Sequence, residues 1–470
     1  MIELTRSLAR WYRTVLRRSL QEQEPRRSWC LLSCKAGDDG LTLQSVQAEL
    51  ALRYHHPHPR PPDLIVFRTQ VLTEFEGRTD APVVLEQIVA GKGRARWDDA
   101  GVPRSLEFDS GTTDPVPDFP EIPDQFTPMP PGFLTALDEA SRTAGREPSG
   151  RFALTRIRLR GKRGDVAATD GRQLLVQAGF SLPWNDDVLI PRSSVFGCRE
   201  FACHDEVLLG RTKTHVAVRC GPWTLLLLID GSSRYPDTQA IIPRTANISA
   251  RLVLHKEDAA LLMSILPKLP GVRDVNAPIT LDLSKPPAIR ARGDESDQVT
   301  EAPLGLSTTS GPALRLCVDR RLLHRSVALG FRELQAVSAD APVVFRDDRR
   351  IYLWVPLDKK GAIPPGADVI RVGPNDAVAP TSLHPTIPRK EPDMPPPTNG
   401  HPPEDARPRE PQLEKWDIED VIAETEALRT VMQDANARTM RLLAALKHQR
   451  RQSRAVRAAM HSLQQLRLAP

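Results

Sequence analysis

The sequence predicts an α+β chain: three repeats of one unit, each with two helices and antiparallel sheets, then a Pro-rich linker and a C-terminal coiled-coil helix. Three observations predict it. Short apolar runs of strand character fill residues 1–373, among them CLLSCKA, LTLQSVQAELALRYH, ARLVLH, PITLDL, ALRLCV, PVVFR and IYLWVPL. Helical segments recur among these strands at an interval of roughly 120 residues, which is the mark of an internal repeat. Beyond Gly373 apolar residues become sparse and proline recurs every few positions, with PPP at 395–397.

The first helix of each repeat is expected at Thr5–Leu20, Pro131–Ala144 and Lys256–Leu269. A hairpin follows each, then a shorter helix near Arg68–Phe75, Arg192–Phe201 and Asp319–Leu329. The repeats are expected at 1–118, 119–247 and 248–373, the first being the most divergent. A solvated, disordered linker is expected at 374–412. Residues 413–470 read as one helix: Ile418, Val421, Thr425, Leu428, Met432, Ala435, Thr439, Leu442 and Leu446 keep 3–4 spacing, and Val456, Met460 and Leu463 continue the register. About six heptads without Pro or Gly predict a coiled coil whose partner the sequence does not name.

A chain of 470 residues exceeds one ordinary core. It has no run of ~20 apolar residues, so no membrane span is expected; the longest apolar stretch, WTLLLLI at 223–229, is strand-sized. The N-terminal MIELTRSLARWYRTVLRRSL has arginines dispersed through its apolar positions, and with Glu3 it reads as a folded-domain helix rather than a leader peptide. Six scattered cysteines without CxxC spacing read as reduced thiols of a cytoplasmic protein. No metal or cofactor is expected. His55, His56 and His58 sit in HHPHPRPP, which reads as an exposed loop, and Asp347-Asp348 reads as a hairpin turn. With no phosphate-binding loop, HExxH or GxSxG motif, no catalytic activity is expected.

The stretch AATDGRQLL at 167–175 reads as strand, turn, strand. Its context resembles the middle domain of the bacterial β sliding clamp, the processivity subunit of DNA polymerase III, where a strand leads into a turn of the form (V/A)ATDGxRLA. Further segments match in order: FPEIPDQFTPMPPGFLTALDEA (119–140), GRFALTRIRL (150–159), DVLIPRSSVF (187–196), SRYPDTQAIIP (233–243) and the closing strand IYLWVPL (351–357). The resemblance spans Met1 to Leu357, and the linker and coiled coil lie outside it.

That resemblance implies a ring of two chains, a homodimer, whose inner helices face double-stranded DNA. It also implies an apolar pocket between the middle and last repeats that takes short peptides of DNA polymerases and clamp loaders. The matching pocket positions are Leu154, Thr169, Gly171, Arg172, Gln173, Leu174, Pro236, Ala240, Ile241, Leu353, Val355, Pro356 and Leu357. The sequence departs from the family pattern in carrying Gln173 where an Arg is usual, Ala240 for another Arg, Tyr235 for a Phe and Thr238 for a Tyr. The C-terminal Gln465-Leu466-Arg467-Leu468 resembles the start of such a peptide and equally reads as the last turn of the coiled coil.

Sliding needs affinity for phosphates without base contacts, hence basic side chains on the inner helices. Arg6, Arg10, Arg13 and Arg17 share one face of the first helix, opposite an apolar side of Leu4, Leu8, Trp11 and Val15 that Tyr12 adjoins. Further candidates are Arg68, Arg142, Arg192, Arg199, Lys256, Lys268, Arg320, Arg321 and Arg325. The expected function is a DNA sliding clamp. The alternative is a degenerate clamp-fold scaffold that does not encircle DNA and recruits partners through its pocket and coiled coil.

Overall fold

The structure, a computed structural model, describes residues 1–19, 30–111, 118–272, 276–293 and 298–372. The described residues belong to one compact unit, Met1–Ser382. The expected linker and coiled coil lie outside the described residues.

Among the described residues six α-helices punctuate the strands: α1 Arg6–Ser19, α2 Leu72–Phe75, α3 Phe133–Thr143, α4 Arg199–Ala202, α5 Lys256–Ile265 and α6 Arg320–Ala328. They fall two to a repeat. Local chemistry sets their starts. Thr5 Oγ1 accepts from the Leu8 amide at 3.1 Å, and Asp319 Oδ1 accepts from the Arg321 amide at 2.9 Å, so each side chain satisfies an amide that its helix cannot. Helix α5 stops at Ile265, short of the expected Leu269, because Pro267 cannot continue the amide ladder.

Each repeat contributes two sets of strands, and neighbouring repeats fuse theirs. Leu50–His56 of the first repeat pairs antiparallel with Trp223–Leu228 of the second, making an 8-stranded sheet. Gln173–Ala178 of the second pairs antiparallel with Arg350–Trp354 of the third, making a 9-stranded sheet. Two smaller sheets remain, a 4-stranded one in the first repeat and a 5-stranded one in the third. One apolar core runs through the first two repeats, from Ile2 to Leu227. A second is centred on the third repeat and reaches back to Leu175.

Three local expectations need correction. Trp11, expected on the apolar side, is 45% exposed, whereas Tyr12, 1% exposed, does fill the core, its hydroxyl donating to Ser45 Oγ at 3.0 Å. The run LTLQSVQAELALRYH is a hairpin, Gly40–Val46 and Leu50–His56, turning at Gln47–Glu49. His55 and His56 therefore end a strand rather than occupy a loop, and the His56 and His58 rings stack 4.4 Å apart. A short strand, Val369–Arg371, which the sequence did not announce, follows the closing strand.

Candidate functional site

The turn at AATDG is built by its own side chains. Strands Asp165–Thr169 and Gln173–Ala178 pair so that Thr169 faces Leu174. Asp170 Oδ1 accepts from the amides of Arg172 at 2.8 Å and Gln173 at 2.9 Å. Thr169 Oγ1 accepts from the Gly171 amide at 3.1 Å and donates to the Gln173 carbonyl at 2.6 Å. Gly171 sits at φ +90, a conformation other residues reach only with strain. Two side chains thus make four hydrogen bonds that replace those the turn's backbone forgoes.

Behind the turn the second and third repeats meet. Leu174 lies opposite Leu353, and both pack in a small buried cluster with Ala167, Val176 and Val344. The Val355 amide donates to the Arg172 carbonyl at 3.0 Å, and the Leu357 amide to the Cys317 carbonyl at 2.8 Å. A Cβ added at Gly171 would sit 3.6 Å from Leu154 Cδ1. The structure therefore brings Leu154, Thr169, Gly171, Arg172, Gln173, Leu174, Leu353, Val355 and, through the chain, Pro356 and Leu357 to one junction.

Their exposure divides them. Leu174, Leu353, Gln173, Thr169 and Pro356 are buried, whereas Val355 and Ile241 are 45% and 46% exposed and Gly171, Arg172 and Ala240 also face solvent. The side chain that packs on the Leu174–Leu353 cluster from the Ser233–Pro243 segment is Ile242, which the sequence reading passed over for Ile241. Tyr235 and Thr238, two departures from the family pattern, hold one guanidinium between them. Arg158 lies 4.5 Å over the Tyr235 ring and donates to Thr238 Oγ1 at 2.8 Å. That pair fastens the segment carrying Pro236 to the sheet. Burial pushes the Tyr235 hydroxyl pKa up, with the charges of Arg158 and Arg160 opposing it, so the group stays neutral.

The basic candidates also divide. Arg6 donates to Asp99 Oδ1 at 2.8 Å and to the Phe75 carbonyl at 3.1 Å, and Arg13 forms a two-pronged pair with Glu76. Both tie α1 to its own repeat. Arg142 pairs with Asp138 one turn away at 2.8 Å, Arg192 Nε donates to the Ser141 carbonyl at 3.1 Å, and Arg321 grips Asp319 through Nε and Nη2. Arg325 reaches across repeats to the Glu139 carbonyl and Thr143 Oγ1, both at 2.8 Å. Arg320 is buried, fastening the loop after α5 through the carbonyls of Leu269 and Ala277; its burial removes it from any phosphate surface. Among the described residues Arg17, Arg68, Arg199, Lys256 and Lys268 are exposed and make no ion pair. Burial opposes ionisation of Glu200, but the Cys198 thiol's hydrogen bond and, after it, the charges of Arg199 and half-buried Arg10 bring its pKa down.

Helix α1 abuts the short helical turns of the second repeat. Ser194 Oγ donates to the Arg18 carbonyl at 2.8 Å and Ser193 Oγ to the Ser19 carbonyl at 3.3 Å, so the second repeat caps the first repeat's helix. On the opposite strands Arg156 joins the same two repeats, donating to both Glu49 carboxylate oxygens at 2.8 and 2.5 Å and to Asp230 Oδ2 at 3.0 Å. A cleft lined by Glu49, Phe152, Arg156, Asp230 and Ser233 opens there; nothing in the sequence spacing pointed to it. Among the described residues no group of three or more His, Cys, Asp or Glu is placed to hold a metal ion, and no helix is long and apolar enough to cross a membrane.

No protein-family model matches the sequence, and no curated protein does. The fold speaks where the sequence does not: three α+β repeats sharing sheets define the sliding-clamp architecture. The particular likeness is to the β subunit of DNA polymerase III. The subunit from Pseudomonas aeruginosa superposes with a TM-score of 0.61 at 16% identity, covering 76% of this chain and 99% of that one. The Bacillus subtilis DNA polymerase sliding clamp gives 0.62 at 15%, covering 76% and 98%. A putative β subunit from Eubacterium rectale gives 0.63 at 12%, covering 76% and 99%. At these identities the likeness establishes the fold.

Proposed function

We propose that this chain is a non-catalytic DNA sliding clamp, a ring of two copies that encircles duplex DNA and docks partner peptides at the junction of its second and third repeats. One observation carries the reading: the repeats join by a single rule. At both internal junctions an edge strand of one repeat's first strand set meets the last strand of the next repeat's second set. These are Leu50–His56 with Trp223–Leu228, and Gln173–Ala178 with Arg350–Trp354. The same rule picks out two matching strands. They are Val102–Asp109, last in the first repeat's 4-stranded sheet, and Val299–Pro303, its complement in the third repeat, whose outer side carries the three-residue strand Val369–Arg371. Head-to-tail pairing of these edges with a second copy closes a ring and uses up both edges.

The exposed Arg17, Arg68, Arg199, Lys256 and Lys268 are the side chains left to exchange phosphates. The paired Arg6, Arg13, Arg142, Arg321 and Arg325, with Arg192, hold the protein together. The peptide site is the exposed apolar surface of Val355, Ile241 and part-buried Leu154 and Leu357, floored by Leu174 and Leu353. The test is a salt wash. Protein loaded by a clamp loader on nicked circular plasmid should remain bound through high salt, because linkage through a ring does not depend on phosphate contacts. Release at the same salt as from short linear duplex would reject encirclement.

A second reading, a clamp-fold scaffold that does not encircle DNA, is favoured by the number of candidate arginines spent on internal pairs.

A further inference from the structure

We infer that the strand Val369–Arg371 is a built-in occluder of the third repeat's outer edge, and that ring closure requires its release. This rests on the clamp reading above for the identity of the edge, but the occlusion itself is a feature of this chain's own topology.

The 5-stranded sheet of the third repeat runs in the order Arg315–Asp319, Pro278–Asp282, Ala288–Arg292, Val299–Pro303, Val369–Arg371. Its first four strands are antiparallel, like those at every other position of the molecule. The fifth is different: it pairs parallel to its neighbour, Val299 opposite Val369, Thr300 opposite Ile370 and Glu301 opposite Arg371. It is the sole parallel pairing among the described strands. At the two internal junctions the equivalent edge is covered antiparallel by the next repeat. Here it is covered from within, by chain that lies beyond the closing strand.

The route of that chain shows how it reaches the edge. After Trp354 the Leu357 amide donates to the Cys317 carbonyl, on the strand at the far side of the sheet. The Ile363 amide then donates to Thr280 Oγ1 at 2.7 Å, on the next strand, and Ile363 is buried. The segment has crossed the sheet by Val369. There the Val372 amide donates to the Glu301 carbonyl at 2.9 Å, and Arg371 Nε lies 3.5 Å from Glu301 Oε1, while the other Glu301 oxygen accepts from Arg290.

The hold is light. Three residues pair, Ile370 is 54% exposed, and the Arg371 side chain is mostly in solvent. A strand so short makes few backbone hydrogen bonds, and an exposed ion pair adds little. Among the described residues no strand pairs with the outer side of the complementary edge, Val102–Asp109; it carries Pro103, Arg104, Glu107 and Asp109, the usual guards of a bare edge. An eight-residue antiparallel partner offers more hydrogen bonds than the three-residue parallel strand. A second copy is therefore the occupant that can displace it.

The experiment is amide hydrogen exchange on the full chain at low and high protein concentration. Wild-type protein is compared with Ile370→Pro, which removes a strand amide at an exposed site, and with Arg371→Glu, which sets like charges against Glu301. In wild type the amides of Val299 and Glu301, which face Val369–Arg371, should be protected at both concentrations, and the outer strand Val102–Asp109 should gain protection only at a higher concentration than in the variants. In either variant Val299 and Glu301 should lose protection at low concentration and regain it at high concentration together with Val102–Asp109, while Thr300 and Ala302, whose amides face Ala288–Arg292, stay protected throughout. Protection of Val299 and Glu301 unchanged in both variants at low concentration would overturn the occlusion. Equal concentration dependence of both edges in wild type and variants would overturn the gating. Exposure of Val299 and Glu301 in the variants, with neither edge ever regaining protection, would leave the intramolecular strand standing but remove the ring contact, and with it the gate.

Discussion

Gln173 Oε1 accepts a 2.6 Å hydrogen bond from the Tyr352 hydroxyl across the junction of the second and third repeats. Both side chains are buried, and Gln173 Nε2 donates onward to Asp170 Oδ2 at 2.9 Å, so one amide links the AATDG turn to the closing strand. A neutral side chain here satisfies a buried phenol. Removing it leaves the hydroxyl proton without an acceptor. Gln173→Ala should lower stability by about 1–3 kcal/mol, the usual cost of an unsatisfied buried polar group, measured by denaturant unfolding. An unchanged midpoint would mean the junction does not use this bond.

The Arg156 bridge between the first two repeats is acid-sensitive in a calculable direction. Burial opposes ionisation of Asp230, but hydrogen bonds from Ser233, Arg156 and Ser232 outweigh it and bring its pKa down to about 2. The folded value lies below the ordinary carboxylate value of about 4, so the stabilisation is complete above that pH and is lost as pH falls through the folded value. Asp230→Asn should be less stable than wild type at neutral pH and should flatten the acid limb of the stability profile. Parallel acid limbs in the two proteins would contradict the assignment.

Paired and unpaired arginines should separate by assay. Arg17→Ala and Arg199→Ala should leave the unfolding midpoint unchanged and each reduce the slope of log affinity for duplex against log salt by about 0.9, one phosphate contact. Arg13→Ala should destabilise the fold by unpairing Glu76, with little change in that slope. The reverse assignment of effects would show that the wrong set had been placed against DNA.

At the peptide surface Val355 is exposed while its amide is engaged by Arg172. Val355→Asp should spare the fold and weaken a fluorescent Gln-Leu-x-Leu-Phe peptide by about tenfold, roughly 1.4 kcal/mol, in an anisotropy titration. Equal affinity would place the apolar contact elsewhere.

The helices were legible because their signals are local. Thr5 and Asp319 cap, apolar residues repeat at helical spacing, and Pro267, which ends α5, lies inside the segment whose apolar spacing predicts a helix. The buried face of α1 was less so: Trp11 and Tyr12 are neighbours 100° apart on the helix, and the hydroxyl's access to Ser45 decides which turns inward. Partners distant in sequence were invisible. Glu76 stands 63 residues from Arg13, and Thr143 stands 182 from Arg325, so spacing could not tell a structural arginine from one left for phosphate. The strand Val369–Arg371 gave no signal either. Three residues after Pro364-Pro365-Gly366 show no alternation, and only the edge they meet makes them a strand. The turn at 167–175 was legible in its residues, while the burial of Leu174 depended on its pairing with Leu353, 179 residues away, a partner that spacing does not reveal.

The central claim is encirclement, and linearisation tests it most directly. Protein loaded on nicked circular plasmid and freed of unbound copies is followed through gel filtration before and after a single restriction cut. The account predicts co-elution with the circle and loss from the cut molecule as the ring slides off its ends. Retention on the linear product equal to that on the circle would contradict it.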